Sequence, residues 1–189
     1  MDFKTRIKLG AHPLYRMTDI GYCLAPGSKV LLADGSRQAI ESLRKDDVVW
    51  TRGGSARLLA VVECRRHSYH RMYTVNGITL SPEYPFRSGE QWARPMDMPF
   101  YTETLLPTVY AVILAAPAYS INVGGLECVT LGHGLTGGIV EHRYLGSQRV
   151  IDDVRNQPGW ESGRPVYQNL IVTYNRVTGA VDRWVDVPG

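Results

Sequence analysis

A chain of 189 residues with 44% hydrophobic content is long enough to fold as one domain around its own core. Its 21 basic and 18 acidic residues leave a formal net charge of +3 spread along the chain, which excludes the concentrated basic footprint of a nucleic-acid or membrane-surface binder. The 3 cysteines stand at wide, irregular spacing and make no disulfide framework, so free thiols in a reducing, cytoplasmic (intracellular) setting are expected.

Residues 1–22 show no hydrophobic period and no apolar run of signal-peptide length, and Gly10, His12-Pro13 and Gly21 punctuate them. They read as a leader that lies against the following domain or is partly mobile, with the domain proper at 23–189. From Cys23 onward the pattern becomes dense. Pro26-Gly27 precedes an apolar run at Val30-Leu31-Leu32, Asp34-Gly35 makes a turn, Ala39 to Arg44 is a short amphipathic turn, and Val48-Val49-Trp50 is a second run. Two short strands on a tight connection are expected there.

Gly53-Gly54 then turns the chain into a strand from Ala56 to Cys64, and Arg65 to Arg71 reads as a basic, solvated loop. Met72 to Val75 and Ile78 to Ser81 flank Asn76-Gly77, whose tolerance of positive φ makes it a strong hairpin signal. The hairpin delivers Ser81-Pro82-Glu83-Tyr84-Pro85-Phe86 at its exit. Met96 to Pro107 is interrupted by prolines and carries no clear period. The longest apolar run, Val109 to Ala118, contains Pro117 and is too short to span a bilayer. Val109 to Leu114 and Tyr119 to Val123 read as a strand pair, Gly124-Gly125 as a turn, and Leu126 to Leu131 as a further strand. Ser147 to Gln157 is the one good helix: Ser147 caps it, Val150, Ile151 and Val154 share a face, and Pro158-Gly159 stops it. Leu170 to Tyr174 and Ala180 to Val185 close the chain as a hairpin. The whole is a mostly antiparallel β protein with a late helix.

Standing alone, Cys23 reads as a small buried hydrophobe. The order of parts after it changes that reading: a cysteine, then Gly27-Ser28-Lys29-Val30, Asp34-Gly35, Ile40-Glu41-Ser42-Leu43 and Lys45-Asp46-Asp47-Val48-Val49. This block resembles the N-terminal part of the Hint superfamily, the self-cleaving domain shared by inteins and hedgehog C-terminal regions. Val109-Tyr110, the run from Val123 to Gly134 that contains Thr130-Leu131-Gly132-His133-Gly134, His142-Arg143-Tyr144-Leu145-Gly146 and Val150-Ile151-Asp152-Asp153 are similar to the Vint subgroup, Hint domains found beside von Willebrand A modules. The resemblance covers roughly residues 23 to 160.

It implies an all-β, HINT-fold, horseshoe-like disk with one additional helix near the C-terminus. It also implies a chemistry: the Cys23 thiol attacks the carbonyl of Tyr22, an N-to-S acyl shift turns the peptide bond into a thioester, and water, a thiol or an amine cleaves the thioester. The substrate is then the protein's own N-terminal segment in cis, a monomer suffices, and no cofactor is implied. Joining two flanks needs a histidine-asparagine ending and a downstream nucleophile that this chain lacks, so N-terminal cleavage is the most that is expected.

Two positions depart from the family. A Hint domain carries Thr-x-x-His at the hairpin exit, where the histidine serves as acid; here the residues are Ser81-Pro82-Glu83-Tyr84. Serine can replace the hydroxyl, but a phenol with an ordinary pKa of about 10 is no proton shuttle near neutral pH. Tyr119 likewise stands where Vint relatives tend to have histidine. His133, flanked by Gly132 and Gly134, is the remaining candidate acid or base, and His142 reads as a turn residue packing on Tyr144. The site expected from the resemblance is thus Cys23, Ser81, Tyr84 and His133. A Hint fold without its acid has an alternative role, as an inactive module that binds a peptide or small ligand in its cleft. Cys64, His67 and His70 carry soft ligands, but the spacing suits no standard finger, a fourth ligand is lacking, and His67 and His70 would face opposite ways on an extended chain, so no metal is expected.

Overall fold

The structure, a computed structural model, describes residues 5–7, 20–87 and 89–187. Its strands are β1 (Thr5–Ile7), β2 (Lys29–Leu31), β3 (Arg37–Ala39), β4 (Val48–Thr51), β5 (Gly54–Val75), β6 (Ile78–Leu80), β7 (Phe86–Arg87), β8 (Trp92–Ala93), β9 (Phe100–Leu114), β10 (Ser120–Val123), β11 (Leu126–Val129), β12 (Val166–Tyr167), β13 (Leu170–Tyr174) and β14 (Val181–Asp186). Helix α1 (Gln148–Arg155) lies between β11 and β12. One sheet runs β1-β9-β5-β12, with β4 and β6 also paired to β5; a second runs β3-β2-β10-β11-β7-β8; β13 and β14 form a separate hairpin. Neither sheet closes on itself. The all-β disk with one late helix expected from the sequence is the architecture of the described residues.

Two long strands are its spine. β5 and β9 pair antiparallel from Leu58↔Leu114 to Thr74↔Thr102. The stretch without a clear period, Met96 to Pro107, therefore holds the first half of one long strand. The basic loop expected at Arg65 to Arg71 is a correction of the same kind: it is a bulge inside β5. Arg65 pairs with Thr108 and His70 with Leu106, so residues 66–69 stand opposite Pro107 alone. Proline has no N–H to give to a ladder, and a bulge is where a strand tolerates it. A further strand, β3, pairs with β2 in the connection expected to be a bare turn. The Asn76-Gly77 turn has both residues at positive φ, +51° and +78°, as its sequence required.

Cys23 and Leu24 thread between these elements. Leu24 forms isolated bridges to Leu80 and Tyr110, exchanging backbone hydrogen bonds of 2.8 and 2.9 Å with Tyr110. The Ala25 N–H donates to the Thr79 carbonyl and the Ser81 N–H to the Cys23 carbonyl. The segment at Cys23 is thus pinned from both sides before any side chain is considered. In the leader, β1 pairs with β9 through Thr5↔Thr102 and Ile7↔Phe100; the rest of residues 1–19 lies outside the described residues.

The C-terminal elements are tied to this centre by polar bonds as well as by packing. The Ser147 Oγ caps α1 by accepting the Arg149 N–H, and Val150, Ile151 and Val154 are its buried face. The Tyr144 hydroxyl donates to Asp153 at 2.9 Å and accepts the Trp184 N–H at 3.0 Å, while Arg183 forks onto the same Asp153 carboxylate. On the second sheet, Glu127 is buried and bonded to Arg87, Ser120 and Arg52. Burial alone would raise its pKa, but the bonds from Arg87, Ser120 and Arg52 outweigh that and hold it below the usual carboxylate range. Among the described residues no helix is long and apolar enough to cross a membrane.

Candidate functional site

The exit of the β5–β6 hairpin and the loop after β11 meet at the Tyr22–Cys23 peptide bond. Ser81 is fully buried, and its Oγ accepts the Cys23 N–H at 3.0 Å. The same hydroxyl donates to the Gly21 carbonyl. One side chain therefore spans the bond, touching the amide nitrogen on one side and the carbonyl two residues upstream on the other. The Cys23 thiol is fully enclosed.

Tyr84 lies in the same place but does a different job from the one a histidine would do. Its backbone N–H closes a turn onto the Ser81 carbonyl, and its phenol donates to the Val129 carbonyl at 2.6 Å. Complete burial first, then the neighbouring Cys128, Cys23 and Tyr22 groups, push its pKa well above the ordinary value. A phenol so placed stays protonated and holds a strand.

His133 sits on the other side of Tyr22. Gly132, at φ +68°, turns the chain after β11 so that its N–H reaches the Leu145 carbonyl, and the Gly134 N–H reaches the Gly146 carbonyl, both at 2.8 Å. The ring then lies against Gly146, where a Cβ would come within 2.9 Å of its Cε1. The His133 Nδ1 accepts the Leu135 N–H at 2.9 Å, so the neutral ring carries its proton on Nε2, which is buried without a hydrogen-bond partner. Burial, with the nearby His142, lowers the His133 pKa to about 4.

His142 was expected to be a turn residue, and its Nδ1 does accept the Tyr144 and Leu145 N–H groups at 3.1 and 3.0 Å. It is also part of the site. Its ring meets the Tyr22 ring edge-on at 5.8 Å, and burial lowers its pKa to about 4. The signal that could have found it is the histidine at the head of His142-Arg143-Tyr144-Leu145-Gly146, which the sequence reading assigned to packing. Tyr22 was expected only to supply the carbonyl of the scissile bond, and its ring is part of the site as well. It is 3% exposed and stacks on Tyr84 at 5.5 Å and 14°, with His133 tilted across it at 5.7 Å and 30°.

Of the sequence-derived residues, Ser81 bonds to Cys23, and Tyr84 and His133 meet it through Tyr22. The Tyr119 carbonyl accepts the Thr130 N–H at 3.0 Å. Cys64, His67 and His70 do not converge on a point: Cys64 is enclosed, His67 is exposed, and the His70 Nε2 donates to the Cys64 carbonyl at 3.1 Å. Among the described residues no three such side chains are grouped to hold a metal ion. A cleft of about 280 Å³ opens beside the site, with Gly21, Tyr22, Glu83, His142, Leu145 and Val181 in its wall.

Comparison with solved structures gives a DnaB intein from Synechocystis sp. PCC 6803, at 16% identity and a TM-score of 0.48 over 58% of this chain and 98% of that one. A bacterial intein-like domain from Clostridium thermocellum matches at 14% identity and a TM-score of 0.44, over 57% of this chain and 97% of that one. Comparison with curated proteins gives no match. The family model described as Vint, a Hint domain, matches residues 22–183, beginning one residue before Cys23 and ending within β14. A match over that much of the sequence shows that this chain belongs to the Vint family of Hint domains.

Proposed function

We propose that the domain cleaves its own chain at Tyr22–Cys23, slowly, by an N-to-S acyl shift. The Cys23 sulfur adds to the Tyr22 carbonyl carbon, the carbon–nitrogen bond breaks, and the thiol proton ends on the Cys23 nitrogen. The products are a thioester and a free amine. Water, a thiol or an amine then attacks the thioester, releasing the segment that ends at Tyr22 and returning the Cys23 thiol.

The observation that carries this reading is the Ser81 hydroxyl on the Cys23 amide. A hydroxyl both accepts and donates, so Ser81 can hold the N–H in the ground state and, by turning its one proton away from the Gly21 carbonyl, give a hydrogen bond to the nitrogen once it becomes an amine. Slowness follows from the other two groups. The Tyr84 phenol is committed to Val129 and is a poorer acid than a free phenol. His133, neutral at physiological pH, offers an Nε2–H that can stabilise a developing oxyanion but does not readily give up its proton.

A second reading, a Hint fold that binds without cleaving, draws on the same phenol. With Tyr84 bonded to Val129 and Cys23 wholly enclosed, the site also suits a domain that only holds its upstream segment. The two part in one experiment. A tag is fused ahead of residue 1 and intact mass is followed with and without dithiothreitol, beside Cys23→Ala and Tyr84→His. Self-cleavage requires tag loss only where Cys23 is present, faster with Tyr84→His. Intact chains in every case leave the binding module.

A further inference from the structure

The three residues upstream of Cys23 are each held by a different part of the chain. The Ile20 carbonyl accepts the Trp184 indole N–H at 2.8 Å, from β14. The Gly21 carbonyl accepts the Ser81 hydroxyl, and at φ +98° any Cβ on Gly21 would collide with the Leu145 side chain. The Tyr22 ring fills a slot made by Tyr84, His133 and His142, and its hydroxyl reaches the Val140 carbonyl at 3.5 Å. Fixed donors on two successive carbonyls, one position closed to side chains and one ring pocket together are how a protein reads a peptide.

These residues also lie on the departing side of the bond. We infer that the slot is a recognition subsite for a peptide acyl group ending in glycine and an aromatic residue, with Tyr84 as its stacking wall. The inference rests on the acyl-shift reading for its catalytic half, since it names the acyl donor that Cys23 accepts. It also accounts for Tyr84: a phenol anchored on Val129 presents a fixed ring face to Tyr22 where a histidine would supply a proton. The cleft at Gly21 and Tyr22 gives the severed end a way out and a ligand a way in.

Two measurements test it. In the first, tagged chains with Tyr22→Phe, Tyr22→Leu and Tyr22→Ala are cleaved by dithiothreitol, each with Tyr84 intact and with Tyr84→Leu. Phenylalanine stays within about threefold of tyrosine, leucine and alanine fall about tenfold or more, and Tyr84→Leu removes the preference for phenylalanine over leucine. Equal rates across the series, or a preference that survives Tyr84→Leu, overturns the subsite. The second measurement needs no cleavage. A Cys23→Ala, Tyr22→Ala chain, whose slot is vacant, is melted with p-cresol and with 4-methylcyclohexanol. Cresol raises the melting temperature saturably, the saturated alcohol does not, and the chain that keeps Tyr22 responds to neither. If the doubly substituted chain does not fold alone, cresol restores folding and the alcohol does not. Uptake of cresol by a chain family that never cleaves would remove the acyl shift and leave the subsite. No effect of cresol, or an equal effect of both compounds, removes the subsite even where cleavage is seen.

Discussion

In the proposed cleavage Ser81 is the residue on which the geometry turns, because it bonds to the nitrogen that would leave and to a carbonyl on the upstream segment. Replacing it with alanine strands a buried N–H and a buried carbonyl. The loss of such a partner costs about 1–3 kcal/mol, so Ser81→Ala should slow dithiothreitol-induced cleavage roughly 5- to 150-fold while the chain remains folded. An unchanged rate, measured by intact mass, would mean that the hydroxyl only packs. Cys128 offers a contrast at this scale. It is as enclosed as Cys23, burial pushes its thiol up strongly, and its weak bond is to the Leu126 carbonyl within its own strand. Being a buried cysteine does not distinguish the two; the hydroxyl on the adjacent amide does.

At the scale of elements, the C-terminal hairpin acts as a brace for the upstream segment. Trp184 on β14 is 2% exposed and its indole holds the Ile20 carbonyl, while Tyr144, Asp153 and Arg183 fasten the same strand to α1. Trp184→Phe keeps a smaller ring in place but strands the buried Ile20 carbonyl, so it should lower unfolding free energy by about 1–3 kcal/mol in urea titration. A change near zero would mean that the Ile20 carbonyl finds another donor at no cost.

The same scale shows what sequence could and could not reveal. The Asn76-Gly77 hairpin and α1 with its Ser147 cap were legible because each depends on local chemistry: positive φ, and a hydroxyl at a helix start. The span of β5 and β9 was not legible. Its middle is a basic stretch facing a proline, and only the partner strand shows that pairing resumes on either side of Pro107. In the site, Cys23, Ser81 and His133 could be read from short motifs. The slot around Tyr22 could not, since Tyr22, Tyr84, His133 and His142 are brought together by tertiary packing across 120 residues of chain, and an isolated tyrosine carries no mark of what it stacks on.

For the whole molecule, three histidines, His70, His133 and His142, have pKa values lowered to about 4, in each case first by burial. A histidine that is harder to protonate when folded stabilises the fold fully above its unfolded value of about 6.5 and loses that contribution as pH falls toward the folded value. The melting temperature should therefore be flat above pH of about 6.5 and drop steadily between there and about 4, before most carboxylates titrate. His70→Gln should make that slope shallower across the whole window. A melting temperature that does not change across the window would contradict the burial of these rings in solution.

The most direct test of self-cleavage is the chemistry at Tyr22 after treatment with hydroxylamine, which attacks a thioester and leaves a hydroxamate. The untagged chain should yield two fragments by intact mass: residues 1–22 ending in a tyrosine hydroxamate, and a partner that begins with Cys23 bearing a free amine. A break at Asn76-Gly77, a bond that hydroxylamine cleaves by itself, bears on neither outcome. A chain that stays whole at Tyr22–Cys23, or the same fragments from Cys23→Ala, would contradict self-cleavage.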